Sequence, residues 1–116
     1  PTAEPEPASF LFTVDRVENC GTTCRDVTVS VRNRGGTAAE NVGVDVRLLA
    51  GGDELWSGSR SFESVAAGET KTRTERVKLG YFEGAKIKAN DGYVTIETTI
   101  DWDGGRETFS ERRKVA

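Results

Sequence analysis

The sequence predicts an all-β fold, a seven-stranded antiparallel sandwich with one short helix or turn near residues 82–90. Three observations predict it. Apolar β-branched residues alternate with polar residues along three segments, as in strands that bury one face. Glycine-rich turn sequences follow these segments. No amphipathic helix is long enough to cover a sheet, so each sheet must pack against another sheet.

The three clearest strands cover residues 27–31, 42–48 and 94–100. Each ends at a pair of glycines or at an Asp-Gly-Gly sequence, which are turn signals between antiparallel strands. Because side chains alternate between the two faces of a strand, one phase of each segment should form the core. The residues expected to point inward are Val29, Val31, Val44, Val46, Ile96 and Ile100.

Four weaker strands complete the set, at residues 10–14, 55–62, 70–79 and 106–115. The phase of the strand at 70–79 is ambiguous, because its threonines alternate against Val77 and Leu79. Residues 81–89 lack the period of two and favour a short helix or turn, closed by the sequence Asn-Asp-Gly at 90–92. Seven strands at this turn spacing are typical of an immunoglobulin-like sandwich.

The first eight residues alternate Pro and Glu, a composition that favours extended backbone. We expect residues 1–8 to form a flexible linker that adds nothing to the fold, and residues 9–116 to form a single domain. A chain of 116 residues is one domain by length. Because the sequence begins at Pro1 and lacks Met, a signal or anchor is expected upstream of it.

Composition argues against several functional classes. The net charge is −3, so the basic field of a nucleic-acid-binding module is missing. Nothing approaches 18 consecutive apolar residues, so no membrane span is expected in this segment. Histidine, the commonest general base, is absent, and so is the Gly-x-Ser-x-Gly motif of serine hydrolases. We therefore expect neither an enzyme nor a cofactor.

Cys20 and Cys24 flank a Gly-Thr-Thr spacer and can close a small disulfide ring. Two alternatives stay open. The residues could be free thiols, or they could serve metal or redox chemistry, although a metal would need carboxylates as its other ligands and redox motifs have a shorter spacing. A disulfide indicates an oxidising compartment, and so an extracellular location.

Two other groups of residues could bind a ligand. Asp101 and Asp103 resemble half of a calcium loop, although Asp-Gly-Gly between alternating strands is also a simple hairpin turn.

Trp102 shares the inward phase of its strand, which predicts a cap on the core. Leu55 and Trp56 should face opposite sides of a regular strand. If Leu55 is the core residue, Trp56 is exposed, and Trp56→Ala should weaken a partner or glycan contact more than the fold.

Two turn motifs resemble a known family. Residues 29–36 form a strand that ends in Asn-Arg-Gly-Gly, residues 39–44 begin a strand with alternating Val, and residues 65–69 read Val-Ala-Ala-Gly-Glu before a Thr-rich strand. This pattern resembles the CARDB family, the cell-adhesion-related domains of bacterial and archaeal surface proteins, over roughly residues 26–79. The resemblance implies a seven-stranded sandwich, a surface location and an adhesive or spacer role. It implies no catalytic residues.

The leading hypothesis is a non-enzymatic, extracellular adhesion or spacer domain of a prokaryotic surface protein, anchored through a segment upstream of Pro1. Its partner would be a protein or a cell-surface glycan. One alternative is a subunit or accessory component of a surface filament, in which an edge strand pairs with a neighbour. A second is a carbohydrate-binding module that uses Trp56. A third is a cytosolic stress protein of the late-embryogenesis type, which has a similar sandwich.

Overall fold

The computed structural model describes residues 6–22 and 24–115, which form seven strands and one helix. All seven predicted strands and the short helix are confirmed, most with longer bounds than the alternation alone indicated. The elements are β1 (Phe10–Gly21), β2 (Cys24–Asn33), β3 (Ala39–Ala50), β4 (Asp53–Val65), β5 (Thr70–Lys78), α1 (Tyr81–Ala89), β6 (Tyr93–Trp102) and β7 (Gly105–Lys114).

The strands form two antiparallel sheets that pack face to face. One sheet has the order β1-β2-β5 and the other has the order β4-β3-β6-β7. One-sided alternation requires this arrangement, because each sheet can bury its apolar face only against the other. The predicted immunoglobulin-like sandwich is therefore the observed architecture.

The six residues expected in the core all contribute to it. Val31, Val44, Ile96 and Ile100 are buried. Val29 and Val46 are half-buried and pack against the same apolar clusters, so the phase predicted for β2, β3 and β6 is confirmed.

The ambiguous phase of β5 has a structural reason. Its inner-face positions carry charged residues, because Lys71 pairs with Val31, Arg73 with Val29 and Glu75 with Val27. Only toward its end does this face become apolar, at the buried Val77. The edge of the sandwich between β4 and β5 therefore opens as a cleft with a charged margin.

The chain enters and leaves the sandwich at opposite ends of the strands. Phe10 pairs with Asn33 at one end, which we call the amino-terminal pole and which includes the β2–β3 and β4–β5 loops. Lys114 pairs with Tyr93 at the other end, the carboxy-terminal pole, which includes α1 and the β1–β2 hairpin. The domain is elongated. Its radius of gyration is 16.0 Å, against about 13 Å for a compact chain of this length.

Asn33 holds the amino-terminal pole together. Its side chain is fully buried. The amide oxygen accepts hydrogen bonds from the backbone N–H groups of Ser9 (3.3 Å) and Gly35 (3.0 Å). The amide nitrogen donates to the carbonyl oxygens of Thr37 (2.9 Å) and Val65 (3.1 Å). One side chain thus joins three separate segments of the chain.

The last residues of the expected linker contact the fold. The carbonyl oxygen of Glu6 accepts hydrogen bonds from the N–H of Gly36 (3.1 Å) and the hydroxyl of Thr37 (2.8 Å). Ala8 packs against the apolar cluster at this pole. The expectation that all eight residues add nothing to the fold is therefore wrong for residues 6–8, because the two glycines of the loop leave room for backbone contact. Residues 1–5 lie outside the described residues, and the flexible linker stays a prediction for them.

Gly35→Ala should lower the free energy of unfolding by about 2 kcal/mol, since overpacking is costly where backbone must move. A Cβ at this position would lie 2.1 Å from the carbonyl oxygen of Pro7. Gly36→Ala is the matched control, because its Cβ would come no closer than 3.3 Å to Glu6. Thermal unfolding of both variants checks this contact. Equal melting temperatures would mean that residues 6–8 do not pack on the loop.

Helix α1 crosses the carboxy-terminal pole between β5 and β6. It begins after Gly80 without a side-chain cap and ends at Ala89, with Asn90 as its C-cap and Ile87 as its buried residue. Asp91 and Gly92 then adopt positive φ angles of 60° and 82°, which suits the Asn-Asp-Gly turn predicted there. The helix starts one residue before the predicted segment 82–90, and Tyr81 and Phe82 lie in its first turn.

Candidate functional site

Trp56 lies on the inner face of β4. In the pairing with β3, Leu48 is opposite Trp56 and Leu49 is opposite Glu54, so Leu55 is the extra residue of a bulge. Directly paired residues share a face, and Leu48 is buried in the core. Trp56 therefore faces the core, and the expectation that Leu55 and Trp56 face opposite sides of the strand is wrong. Leu55 and Trp56 are both half-buried against the core because the bulge breaks the alternation.

A glycine makes room for the indole. A Cβ added at Gly58 would lie 2.5 Å from the ring of Trp56, so no larger residue fits there without moving the ring. The indole lines the cleft between β4 and β5, together with Val29 and Val46. The cleft holds about 40 Å³, which is small beside the several hundred Å³ of typical ligand pockets.

Charged residues line the margin of this cleft. Arg60 of β4 donates a hydrogen bond to the carboxylate of Glu75 on β5, and this contact raises the pKa of the Arg60 guanidinium. The guanidinium of Arg73 lies 5.0 Å from the ring centroid of Phe62. These contacts join the edge strands of the two sheets over an apolar interior. Side-chain contacts therefore cover the cleft, and it does not present the open aromatic surface on which a sugar ring would stack.

Trp56→Ala should lower the free energy of unfolding by about 2 kcal/mol, because it removes a half-buried indole from the core. Tyr81→Ala is the control, since Tyr81 is 81% exposed and should have little effect. Chemical denaturation of both variants measures the difference. If the Trp56 variant were as stable as the Tyr81 variant, Trp56 would be a surface residue that adds little to the core. Whether Trp56 contacts a ligand stays a prediction.

Cys20 and Cys24 form the predicted disulfide, with their Cα atoms 5.1 Å apart. It closes the β1–β2 hairpin at the carboxy-terminal pole. The Asn19 amide oxygen accepts a hydrogen bond from the N–H of Gly21 (3.1 Å). Arg25 donates to the Gly21 carbonyl oxygen (3.0 Å) and, through Nε, to the Val115 carbonyl oxygen (2.9 Å). The hairpin is thus tied to the last residues of the domain.

A Cys20→Ser, Cys24→Ser double variant should lose about 2 kcal/mol of stability, since a ring this small constrains the unfolded chain only modestly. The parent protein should weigh two hydrogens less than its reduced form in intact mass spectrometry. The variant should show no change in melting temperature on addition of reductant. Two free thiols in protein from an oxidising compartment would contradict the disulfide.

The calcium candidates lie beside the β6–β7 turn. Asp101 faces Arg106, with 4.0 Å between carboxylate oxygen and guanidinium nitrogen. Asp103 accepts a hydrogen bond from the Asn41 side-chain amide (2.8 Å). Among the described residues, no group of three or more His, Cys, Asp or Glu residues could hold a metal ion. The Asp-Gly-Gly sequence forms the turn between the paired strands β6 and β7.

Hydrogen bonds lower the pKa of two carboxylates, Asp26 and Glu69. The hydrogen bond from Arg76 holds the pKa of Asp26 below its ordinary range. The N–H of Ala66, followed by Lys71, does the same for Glu69 in the β4–β5 loop. A lowered folded-state pKa stabilises the fold at neutral pH, and this contribution disappears as the pH falls through that pKa. Both shifts favour the ionised form, as in structural ion pairs, whereas a general acid needs the opposite shift.

An exposed aromatic pair was not anticipated from the sequence. Tyr81 and Phe82 are 81% and 77% exposed, and their ring centroids lie 5.8 Å apart in an edge-to-face arrangement. The sequence does contain a sign of this exposed pair, because two large aromatic residues follow Gly80 directly, at the point where the strand alternation stops. No helix among the described residues is long and apolar enough to cross a membrane.

Solved structures share this fold at low identity. A chain described as a β-galactosidase from Bacteroides fragilis has a TM-score of 0.60 and 18% identity over 90% of the present chain. A β-glucuronidase of glycoside hydrolase family 2 has a TM-score of 0.59 and 12% identity over 90%. The present chain spans only 16% and 11% of these two chains. An Arabidopsis thaliana protein has a TM-score of 0.55 and 18% identity, over 97% of this chain and 81% of its own.

These likenesses show the fold and not an activity. A search of curated proteins found no significant match. The family comparison is more informative, because the pattern of archaeal immunoglobulin-like domains matches residues 11–115, nearly the whole sandwich. The chain belongs to the family of archaeal immunoglobulin-like domains.

Proposed function

We propose that this chain is a non-enzymatic, extracellular immunoglobulin-like domain that acts as an adhesion or spacer unit of a prokaryotic surface protein. The observation that carries the proposal is the position of the two chain ends. The chain enters at the amino-terminal pole and leaves at the carboxy-terminal pole of an elongated body. When such a domain is inserted between two others, it separates them by about the length of its own long axis.

The hydrogen-bond pattern suits a load-bearing role. The first strand pairs with β2 and the last strand pairs with β6, both in antiparallel ladders about ten residues long. Ladder hydrogen bonds lie perpendicular to the strands. Tension between the chain ends therefore pulls along the strands and loads many bonds of a ladder together, instead of opening them one at a time.

Three further features support an extracellular, non-catalytic role. The family is one of small immunoglobulin-like domains of archaea. The Cys20–Cys24 disulfide is compatible with an oxidising compartment. The motifs that resemble CARDB domains form the amino-terminal pole around Asn33, which supports a cell-surface role of the adhesion type.

A domain replacement in the parent protein tests the proposal. Deletion of residues 6–115 should impair surface function, and an unrelated immunoglobulin-like domain of equal length should restore it if the role is that of a spacer. Failure of the replacement would favour a specific adhesive contact. Protease treatment of intact cells should cleave a site engineered into the β3–β4 turn, and protection in intact but not lysed cells would contradict the extracellular location.

Light scattering separates the spacer from the filament alternative. The spacer should keep a monomer mass across concentration, whereas a filament component should gain mass as edge strands pair. The sugar-binding alternative has less support, because the indole of Trp56 faces the core.

A further inference from the structure

A cavity of about 280 Å³ lies between α1 and the end of the sandwich at the carboxy-terminal pole. Protein interiors are close-packed, and voids larger than a water molecule are few. An engineered apolar cavity of about 150 Å³ in another protein is enough to bind benzene. The cavity under α1 therefore has room for a ligand of moderate size, which the cleft beside Trp56 does not.

The lining of this cavity is mostly aliphatic, with Thr22 and Tyr81 as further members, and it comes from both sheets, from the helix and from Val115. Such a surface suits a hydrocarbon chain, which gains free energy from leaving water without needing hydrogen-bond partners. The aliphatic residues that line it include Val17, Val77, Leu79, Ile87, Val94 and Val115.

The charged residues at the cavity are both cations, Arg25 and Lys88. Arg25 is half-buried, and its guanidinium donates to three backbone carbonyl oxygens and to the amide oxygen of Asn19. These neutral acceptors hold the group in place and leave its positive charge uncompensated. Within residues 6–22 and 24–115, none of the ion pairs includes Arg25 or Lys88. An anionic group at the cavity would supply the missing counter-charge.

Few contacts hold helix α1 over this cavity. It begins without a side-chain cap and buries one residue, Ile87. Gly80 and Gly84 give its first turns little side-chain packing, and a Cβ added at Gly84 would meet no atom within 4 Å. A helix held this weakly can open and close at small cost, which gives a chain-shaped ligand a way in.

We propose that the cavity under α1 binds one aliphatic chain with an anionic head group, of the free fatty acid class. The chain occupies the space between Ile87 and the sandwich, and the carboxylate lies near Arg25 and Lys88. This site is independent of the spacer role, since a spacer needs no ligand.

Calorimetric titration of the intact domain with octanoate, decanoate and laurate, each below its critical micelle concentration, tests the site. We expect saturable 1:1 binding, with an affinity that rises about three- to fourfold per methylene and levels off when the cavity is full. Dodecyltrimethylammonium has a hydrocarbon tail one carbon longer than that of laurate and the opposite charge, and it should still bind at least about tenfold more weakly. Equal affinity for both, or no saturable binding of any chain, would overturn the proposal.

Matched variants locate the ligand. Gly84→Leu should fill the cavity and abolish laurate binding while the domain stays folded, whereas Ala89→Leu, at an exposed position of the same helix, should not. Lys88→Gln should weaken laurate binding about fivefold or more. Lys86→Gln should not, because Lys86 pairs with Asp53 (3.5 Å).

Unchanged binding in the folded Gly84 variant, or equal effects of the two lysine variants, would overturn the assignment of the cavity and of its head-group contact. Sedimentation with vesicles of phosphatidylglycerol and phosphatidylcholine distinguishes a free amphiphile from a membrane surface. Vesicle binding without saturable laurate binding would replace the proposed ligand by a lipid bilayer.

Discussion

Replacing Asn33 by Ala should lower the free energy of unfolding by about 4 kcal/mol, most of the stability of a small domain. The side chain is fully buried and makes four hydrogen bonds. Its removal takes this hydrogen-bond partner from two N–H groups and two carbonyl oxygens at the amino-terminal pole. Buried backbone groups that lose a partner carry the full cost of their desolvation. Urea denaturation, with circular dichroism as the signal, measures the change.

Asn33→Asp gives a sharper test with nearly the same shape. The carboxylate can still accept from Ser9 and Gly35, but it cannot donate to Thr37 and Val65 and places a negative charge against their carbonyl oxygens. A neutral carboxyl group donates one bond, so the loss of stability should shrink as the pH is lowered. Asn19→Asp, in the exposed β1–β2 hairpin, is the control. A pH-independent, small effect at Asn33 would contradict its role at this pole.

Val44→Asp should cost about 4 kcal/mol or more, because it buries a charge in the apolar core, and the adjacent cation, Arg60, is already paired with Glu75. Val44 is 5% exposed on the central strand β3, where it lies between Arg60 of β4 and Ile100 of β6. The variant should be largely unfolded at 37 °C, or should melt far below the parent in a thermal scan.

Leu11→Asp is the matched control for this substitution. Leu11 is 40% exposed on the outer face of β1, and it pairs with Arg32. The new carboxylate there meets water and a cation, so stability should change by less than about 0.5 kcal/mol. If the two Asp variants melt alike, the inward phase of β3 is wrong.

The strands and their phases could be predicted because one-sided burial leaves a period of two in the sequence. The prediction was weakest where another interaction replaced simple burial. In β5, Lys71 and Arg73 face inward at an open edge, where their charged ends reach solvent. Alternation alone cannot reveal an inner face whose residues are charged.

Trp56 shows a second limit. A bulge at Leu55 puts two successive residues of β4 against the core. Bulges depend on the register between two strands, and a single segment of sequence does not contain that register. The contact of Glu6 with Gly36 could not be predicted for the same reason, because it joins residues that are far apart in the chain.

The motifs behind the family resemblance acquire a physical meaning at Asn33. The Asn-x-Gly turn and the Ala-Gly-Glu turn lie far apart in sequence, and they meet here. The N–H of Asn33 donates to the carbonyl oxygen of Glu69 (3.0 Å), and the N–H of Gly68 donates to the carbonyl oxygen of Asn33 (2.8 Å). The sequence contained both turns, and their contact appears only when the strands fold together.

The distance between the chain ends tests the spacer proposal most directly. Spin labels attached to cysteines introduced at Glu6 and Lys114, with Cys20 and Cys24 oxidised, would report it by pulsed dipolar spectroscopy. Since β1 has twelve residues and a strand rises about 3.3 Å per residue, we expect one distribution beyond about 35 Å. A distribution centred below about 20 Å, half the length of such a strand, would place both ends at one pole and contradict the proposed role.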